Sequence, residues 1–332
     1  MTTTQTKLGS TGPAVFPIAL GCMGMGTQGF YGDSDETENI ATIHAALERG
    51  INLLDTGDFY GIGRNEMLVG QALRGRRDKA LLSVKFGALR GPDNSFLGYD
   101  ASPTAVKNSL AYSLARLGVD YIDIYRPARL DSKVPIEDTI GAIADMVKAG
   151  YVRHIALSEV GPETIARAAK VHPIVDLQIE YSVVTRNPET KIFPAVREHG
   201  MAVTAYGVLS RGLLTNSKPS ASNDFRSHLP RFAAKATNQP LVDALARLAA
   251  ERAVTPAQLA IAYVRAKGRA AGISIIPTMG ARTRKHLDDL FGSLAIELSP
   301  AEVAALEQAV PASAIAGTRY AEQQMKVLDS ER

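Results

Sequence analysis

One unit repeats along the chain: a short apolar run, a loop, an amphipathic segment, a glycine, and then the next apolar run. Eight such runs can be counted, at 18–20, 52–55, 81–85, 122–125, 154–157, 176–179, 202–206 and 273–276. Each is too short to be a helix. Strands separated by helices cannot be joined by tight hairpins, so they pair in parallel and the helices cover the sheet. Eight of them predict an α/β chain folded as a (β/α)8 TIM barrel. The segment 102–118 shows how the helical part is written: Ser102 can cap, Pro103 suits the first helical position, and Val106, Leu110, Leu114 and Leu117 share one face. Gly118 then supplies a left-handed exit, and Gly50, Gly150 and Gly200 repeat it.

The flanks of the repeat carry their own expectations. The opening K-L-G-S-T-G-P-A-V-F reads as a hairpin that plugs the bottom of the barrel. Residues 207–238 have no sustained period and are rich in Ser, Asn and Pro; following the seventh strand, they read as a lid over a bound ligand or as a tolerated insertion. No shift of composition marks a boundary, so residues 1–332 read as a single domain with a helical extension at the C-terminal end. The tail from Ala312 could close the pocket or contact a partner, which leaves monomer and homo-oligomer open.

Composition excludes several classes of function. A formal charge of +3 on 332 residues, with no block of like charges, is too small to suggest a nucleic-acid partner. No apolar run approaches the roughly 20 residues of a membrane helix, and the start M-T-T-T-Q-T-K lacks the apolar core of a signal peptide. The only cysteine, Cys22, cannot form a disulfide within the chain and reads as a small buried residue, so the expected location is cytoplasmic. The histidines are scattered without ligand spacing, and no metal is expected.

Two stretches hold candidate chemistry. Residues 24–29, G-M-G-T-Q-G, match a dinucleotide pattern, but no helical period opens at those glycines, so a loop that lets backbone approach a ligand is the better reading. The run L-L-D-T-G-D-F-Y-G is more pointed. Asp55 ends the second strand, Tyr60 follows in the loop, and Lys85 ends the third. Strand ends of a barrel face one pocket. A buried carboxylate there needs a cation, and Lys85 is the one at hand. Tyrosine is a reluctant acid at pH 7; a neighbouring ammonium stabilises the phenolate left after it donates a proton, and a carboxylate holds that ammonium in place.

With those residues placed, the sequence resembles the aldo-keto reductases over nearly its whole length. The matching stretches include L-G-C-M-G-M, L-L-D-T-G-D-F-Y-G, L-L-S-V-K-F-G, S-L-A-R-L-G-V-D-Y-I-D-I-Y, Q-I-E-Y-S, A-Y-G-V-L-S-R-G-L-L-T and I-I-P-T-M-G-A-R-T-R-K-H-L. The resemblance implies a barrel that binds NADPH in extended form and reduces an aldehyde or ketone, a small-molecule carbonyl substrate. It implies Tyr60 as acid–base catalyst, Lys85 as its activating cation and Asp55 as the partner of the lysine. Ser158 and Gln178 fall where the family holds the nicotinamide carboxamide, and Tyr206 where an aromatic ring stacks on the nicotinamide. Met23 and Asp55 also count on the cofactor side. Leu209, Ser210 and Arg211 fall in the pyrophosphate loop; Gly280, Arg282 and His286 fall around the adenosine phosphate, with Arg282 expected on the phosphate that separates NADPH from NADH.

The chain departs from the family at three places. Ala128 stands where the fourth catalytic residue, a histidine, is usual. Arg126 is the expected substitute, because residues two apart in an extended segment share a face; pairing with Asp123 or Asp131 outside the pocket is its alternative. The expected substrate pocket is therefore Tyr60, Arg126 and Ala128. Glu159 replaces a frequent asparagine after the fifth strand, placing the chain nearest a branch with Ser-Glu there, and Leu290 replaces an adenine-binding asparagine. Without the histidine, an NADP(H) redox sensor and a reductase of activated carbon–carbon double bonds stay open as alternatives.

Overall fold

The computed structural model describes residues 5–26, 31–32, 34–219 and 224–332. Eight parallel strands close into a barrel: β1 (Ala19–Gly21), β2 (Leu53–Gly57), β3 (Leu81–Phe86), β4 (Ile122–Pro127), β5 (Val152–Ser158), β6 (Ile174–Glu180), β7 (Ala202–Tyr206) and β8 (Ile275–Gly280). Neighbours in sequence are neighbours in the barrel, and β8 returns to pair with β1. All eight apolar runs of the sequence fall on these strands.

Each strand is buried on both faces, against helices outside and against the opposite barrel wall inside. Alternation along β2 sends Leu54 to the helix layer and Leu53 to the interior. The interior is layered. Leu53, Ile124, Ala156, Ala202 and Ile276 form an apolar floor with Leu8 and Val15 of the N-terminal hairpin. Two residues further along the same strands come Asp55, Arg126, Ser158, Thr204 and Thr278. The barrel is therefore oily at its bottom and polar towards its C-terminal face.

The hairpin pairs Thr6–Lys7 with Ala14–Val15, and Ser10 N donates to the Gly200 carbonyl at 2.7 Å, tying the plug to the bottom rim. The helix Pro103–Leu117 is punctuated as its residues dictate: Ser102 accepts from Ala105 N, and Gly118 leaves at φ 65°. Among the described residues no helix is long and apolar enough to cross a membrane.

Two loop regions differ from the sequence reading. The stretch 207–238 is not aperiodic throughout: it carries 3-10 turns at Ser210–Thr215 and Phe225–His228, a short helix Pro230–Ala233, and the start of a long helix, Lys235–Glu251. Asn238 and Pro240 in its first turns conceal that start, while Leu241, Val242, Leu245 and Ala249 bury its face further on. Residues 220–223 of the expected lid lie outside the described residues. An antiparallel hairpin, Ala88–Arg90 with Phe96–Tyr99, rises after β3 and was not expected, since runs this short and this exposed carry no readable period.

Candidate active site

Asp55 points into the barrel because it is two residues from Leu53 on a period-two strand. Its carboxylate is approached from two other strands, β3 and β6. Lys85 Nζ donates to Oδ1 at 2.5 Å, while Ser83 Oγ and Gln178 Nε2 donate to Oδ2 at 3.1 and 2.8 Å. Lys85 also donates to the Thr56 carbonyl at 2.9 Å. Both members of the pair are buried. The cation that the burial of Asp55 requires is thus Lys85.

Tyr60 opens a 3-10 turn in which Gly61, Ile62 and Gly63 all have left-handed backbone, Ile62 at φ 53°. That turn lays the buried tyrosine over the mouth of the barrel, with Lys85 Nζ 5.0 Å from the centre of its ring. Burial, and then the charge of Asp55, push the Tyr60 hydroxyl well above the ordinary tyrosine value; Arg129 acts in the opposite direction. Burial lowers the Lys85 ammonium, with Asp55 opposing it.

Arg126 is not in the pocket. It is fully buried inside the barrel, where Nη1 and Nη2 lie 2.7 and 3.2 Å from the two oxygens of Asp176 on β6. Neither Asp123 nor Asp131 takes it: Asp123 pairs with Arg77, and Asp131 accepts from the backbone of Ala101 and Lys133. The extended geometry expected at Arg126 is present, but on a barrel strand it directs the side chain across the interior instead of out of its top. Arg126 Nη2 also donates to Ser83 Oγ at 2.8 Å, and so braces Asp55 from beneath. Ala128 lies buried just past β4, its backbone N–H bonded to the Phe86 carbonyl at 2.8 Å.

The residues expected on the cofactor line the C-terminal ends of the later strands. Ser158 ends β5, Gln178 approaches the end of β6 with its amide nitrogen on Asp55, and Tyr206 ends β7. Leu209 precedes a strained turn in which Ser210 and Arg211 take φ 45° and 58°. Arg211 Nη2 is buried without a hydrogen bond, its carboxylate partner Glu180 Oε2 being 3.6 Å away. Gly280 ends β8, where a Cβ would lie 3.9 Å from the Gly21 carbonyl oxygen, and His286 lies in the first turn of helix Arg284–Gly292, its Nδ1 3.1 Å from Thr283 Oγ1. Met23 follows β1, and Gly24 lets the Arg282 stem lie close: a Cβ there would come within 3.1 Å of Arg282 Cδ. Leu290 is buried on the inner face of its helix. Of the G-M-G-T-Q-G stretch, residues 27–29 lie outside the described residues; the next helix, Glu36–Glu48, opens only after Asp35 caps it. Burial raises the Cys22 thiol to about 12.

Glu159, noted in the sequence as a departure from the family, and tail residues that had no assigned role there complete the wall. Glu159, at φ 54°, accepts from Tyr206 OH at 2.6 Å, from Ser330 Oγ at 2.6 Å and from Arg319. Tyr320 OH lies 2.8 Å from Tyr206 OH and accepts from Arg129 Nη2 at 3.1 Å. The C-terminal tail is therefore built into the face that carries Tyr60. The segment G-T-R-Y carries no periodic signal in the sequence.

A parallel eight-stranded barrel with a buried charge pair and a tyrosine at its C-terminal face places the chain among the (β/α)8-barrel enzymes. It belongs to the aldo/keto reductase family, whose model matches residues 17–311, and it is an oxidoreductase of that family. It is 39% identical over 325 residues to the Glycine max protein named "Probable aldo-keto reductase 1", covering 95% of this chain and 91% of that one. It is 35% identical to the NADP(+) aldo-keto reductase yakc of Schizosaccharomyces pombe, covering 91% of each. Among solved structures it resembles the glycerol dehydrogenase of Gluconobacter oxydans, with TM-score 0.81 and 26% identity over 93% of this chain and 96% of that one.

Proposed function

We propose that the chain reduces an aldehyde or ketone to an alcohol with NADPH, and that Tyr60, Lys85 and Asp55 do the acid–base work. The observation that carries this reading is the buried cluster itself: Lys85 Nζ is 2.5 Å from Asp55 and 5.0 Å from the Tyr60 ring centre. When bound, the nicotinamide supplies hydride to the carbonyl carbon. Tyr60 donates its hydroxyl proton to the carbonyl oxygen, and Lys85 stabilises the phenolate that remains. Asp55 keeps the ammonium charged against its burial and aims it.

The residues present suit a dinucleotide laid across the strand ends. Arg211 has a buried N–H without a hydrogen bond, which is what an anionic phosphate would satisfy. Ser158, Gln178 and Tyr206 would hold the nicotinamide end, with Met23 and Asp55 beside it. Leu209, Ser210 and Arg211 would hold the pyrophosphate, and Gly280, Arg282 and His286 the adenosine phosphate. The S. pombe relative is itself named for NADP(+), which supports the same cofactor here.

The test is NADPH oxidation with aromatic and aliphatic aldehydes, with NADPH binding followed in parallel. Tyr60→Phe should cut turnover by about 10²–10⁴-fold while NADPH still binds. NADPH binding with no turnover of any carbonyl would turn the reading to a redox sensor, and saturation of an enone at carbon would turn it to double-bond chemistry.

A further inference from the structure

Most buried cations on the C-terminal face are matched with a carboxylate. Lys85 is paired with Asp55, Arg126 with Asp176, Arg226 with Asp224, Arg231 with Glu180 and Arg319 with Glu159. Arg129 is not so matched. It is half-buried, yet among the described residues no Asp or Glu oxygen lies within ion-pair distance of it. Its fork is held by neutral groups only: Nη1 donates to the Ala128 carbonyl at 2.6 Å and to Ser158 Oγ at 3.3 Å, and Nη2 to Tyr320 OH at 3.1 Å. A guanidinium has five N–H donors, and these contacts leave Nε–H and one Nη2–H unused.

Position is the second observation. Arg129 adjoins Ala128, where no side chain can reach a ligand, and it touches Ser158 beside the proposed nicotinamide site. Its charge is felt at both Tyr60 and Lys85. Tyr99, which also lies within its field, lines a cleft of about 510 Å³ together with Phe96, Phe225, Leu229, Gln324 and Val327.

We propose that Arg129 is a catalytic residue that holds the carbonyl oxygen of the substrate opposite Tyr60, supplying the donor that position 128 lacks. As a C–H bond forms at the carbonyl carbon, the π pair moves onto oxygen; Arg129 stabilises that developing charge while the oxygen takes the proton of Tyr60. An unneutralised cation suits this task, because a resident carboxylate would cancel it. The inference rests on the carbonyl-reduction reading, and on this chain's own R-P-A-R segment.

The test uses full-length protein loaded with NADP+, with benzoate as a stable oxyanion probe, beside steady-state reduction of benzaldehyde. Arg129→Met should weaken benzoate binding at least tenfold and lower kcat by about 10²-fold with little change in KM or NADP+ affinity. Arg129→Lys should recover part of both. Arg49→Met removes an exposed cation paired with Asp288, away from these residues, and should leave both within about threefold of wild type. Benzoate affinity and kcat unchanged in Arg129→Met would overturn the assignment, as would wild-type protein that binds no benzoate. If wild-type protein reduces no carbonyl but binds benzoate through Arg129, the reduction reading falls while the oxyanion contact stands.

Discussion

Arg319 forks onto Glu159, with Nη1 2.8 Å from Oε1 and Nη2 2.6 Å from Oε2, and both side chains are buried. This pair joins the C-terminal tail to the end of β5. The same Glu159 oxygen that takes Nη1 also takes the hydroxyl of Tyr206, so the pair bears on the ring proposed to stack on the nicotinamide. Glu159 is therefore a structural hub, which explains why an acidic residue follows Ser158 in this chain.

Breaking that fork strands a buried charge. Arg319→Met should destabilise the protein by about 3–5 kcal/mol and weaken NADPH binding through Tyr206. Burial alone would raise the Glu159 carboxyl, but Arg319 overrides it and holds the group well below the usual carboxylate range. A depressed folded-state value means a contribution fully present above the unfolded value near 4.5 and lost as pH falls below it. The gap between thermal melts of wild type and Glu159→Gln should narrow as pH falls from about 5 to 3; parallel curves would refute the latch.

Arg126 and Asp176 should behave as a unit. Arg126→Met alone leaves Asp176 buried without its cation and should cost about 3–5 kcal/mol, whereas Arg126→Met with Asp176→Leu should recover most of that. Turnover of the double variant should still fall, because Ser83 loses the donor that helps it brace Asp55. Urea melts and kcat on the same samples separate the two effects. A double variant with wild-type kcat would show that the bracing does not matter.

Asp58 carries a pH dependence of the opposite sign. Burial, then the nearby Glu66, raise its carboxyl to about 7, with Arg116 and the Gly87 N–H only partly offsetting them. A raised folded-state value means stability present below the unfolded value of 3.8 and lost as pH climbs to about 7. Asp58→Asn should thus match wild type near pH 4 and exceed it above pH 7 by up to about 4 kcal/mol. Equal melting temperatures at pH 8 would contradict this.

Cofactor choice tests Arg282. Arg282→Met should weaken NADPH by about 10–100-fold, the worth of one or two hydrogen bonds to a charged group, and leave NADH binding unchanged. Titration of each cofactor by fluorescence reads this directly. Equal losses for both would move the extra phosphate away from Arg282.

Much of this molecule was written locally. The strand runs, the hairpin plug, the capped helix after Ser102 and the inward placement of Asp55 and Lys85 all follow from periods of two and 3.6 and from caps. The start of the helix Lys235–Glu251 did not, because Asn238 and Pro240 break the local pattern that its apolar face restores further on. Arg126, read as an extended residue just past the fourth run and facing the pocket, lies on β4 with its side chain across the interior: alternation says which residues point inward, not how far a long side chain crosses the interior or what it meets there.

The sequence by itself determined an eight-stranded barrel with an acid, a lysine and a tyrosine brought to one end, since spacing along each strand decides what faces inward. Only the tertiary structure decided how the remaining charges are shared. Asp176 lies 50 residues from Arg126, and Glu159 lies 160 residues from Arg319; each pairing depends on which segments closure of the barrel sets side by side. Arg129 shows the same from the other side. Its residue type was plain in R-P-A-R, but its want of an ion-pair partner became visible only once Asp176 and Glu159 had been placed beside other cations and Asp131 on backbone N–H groups.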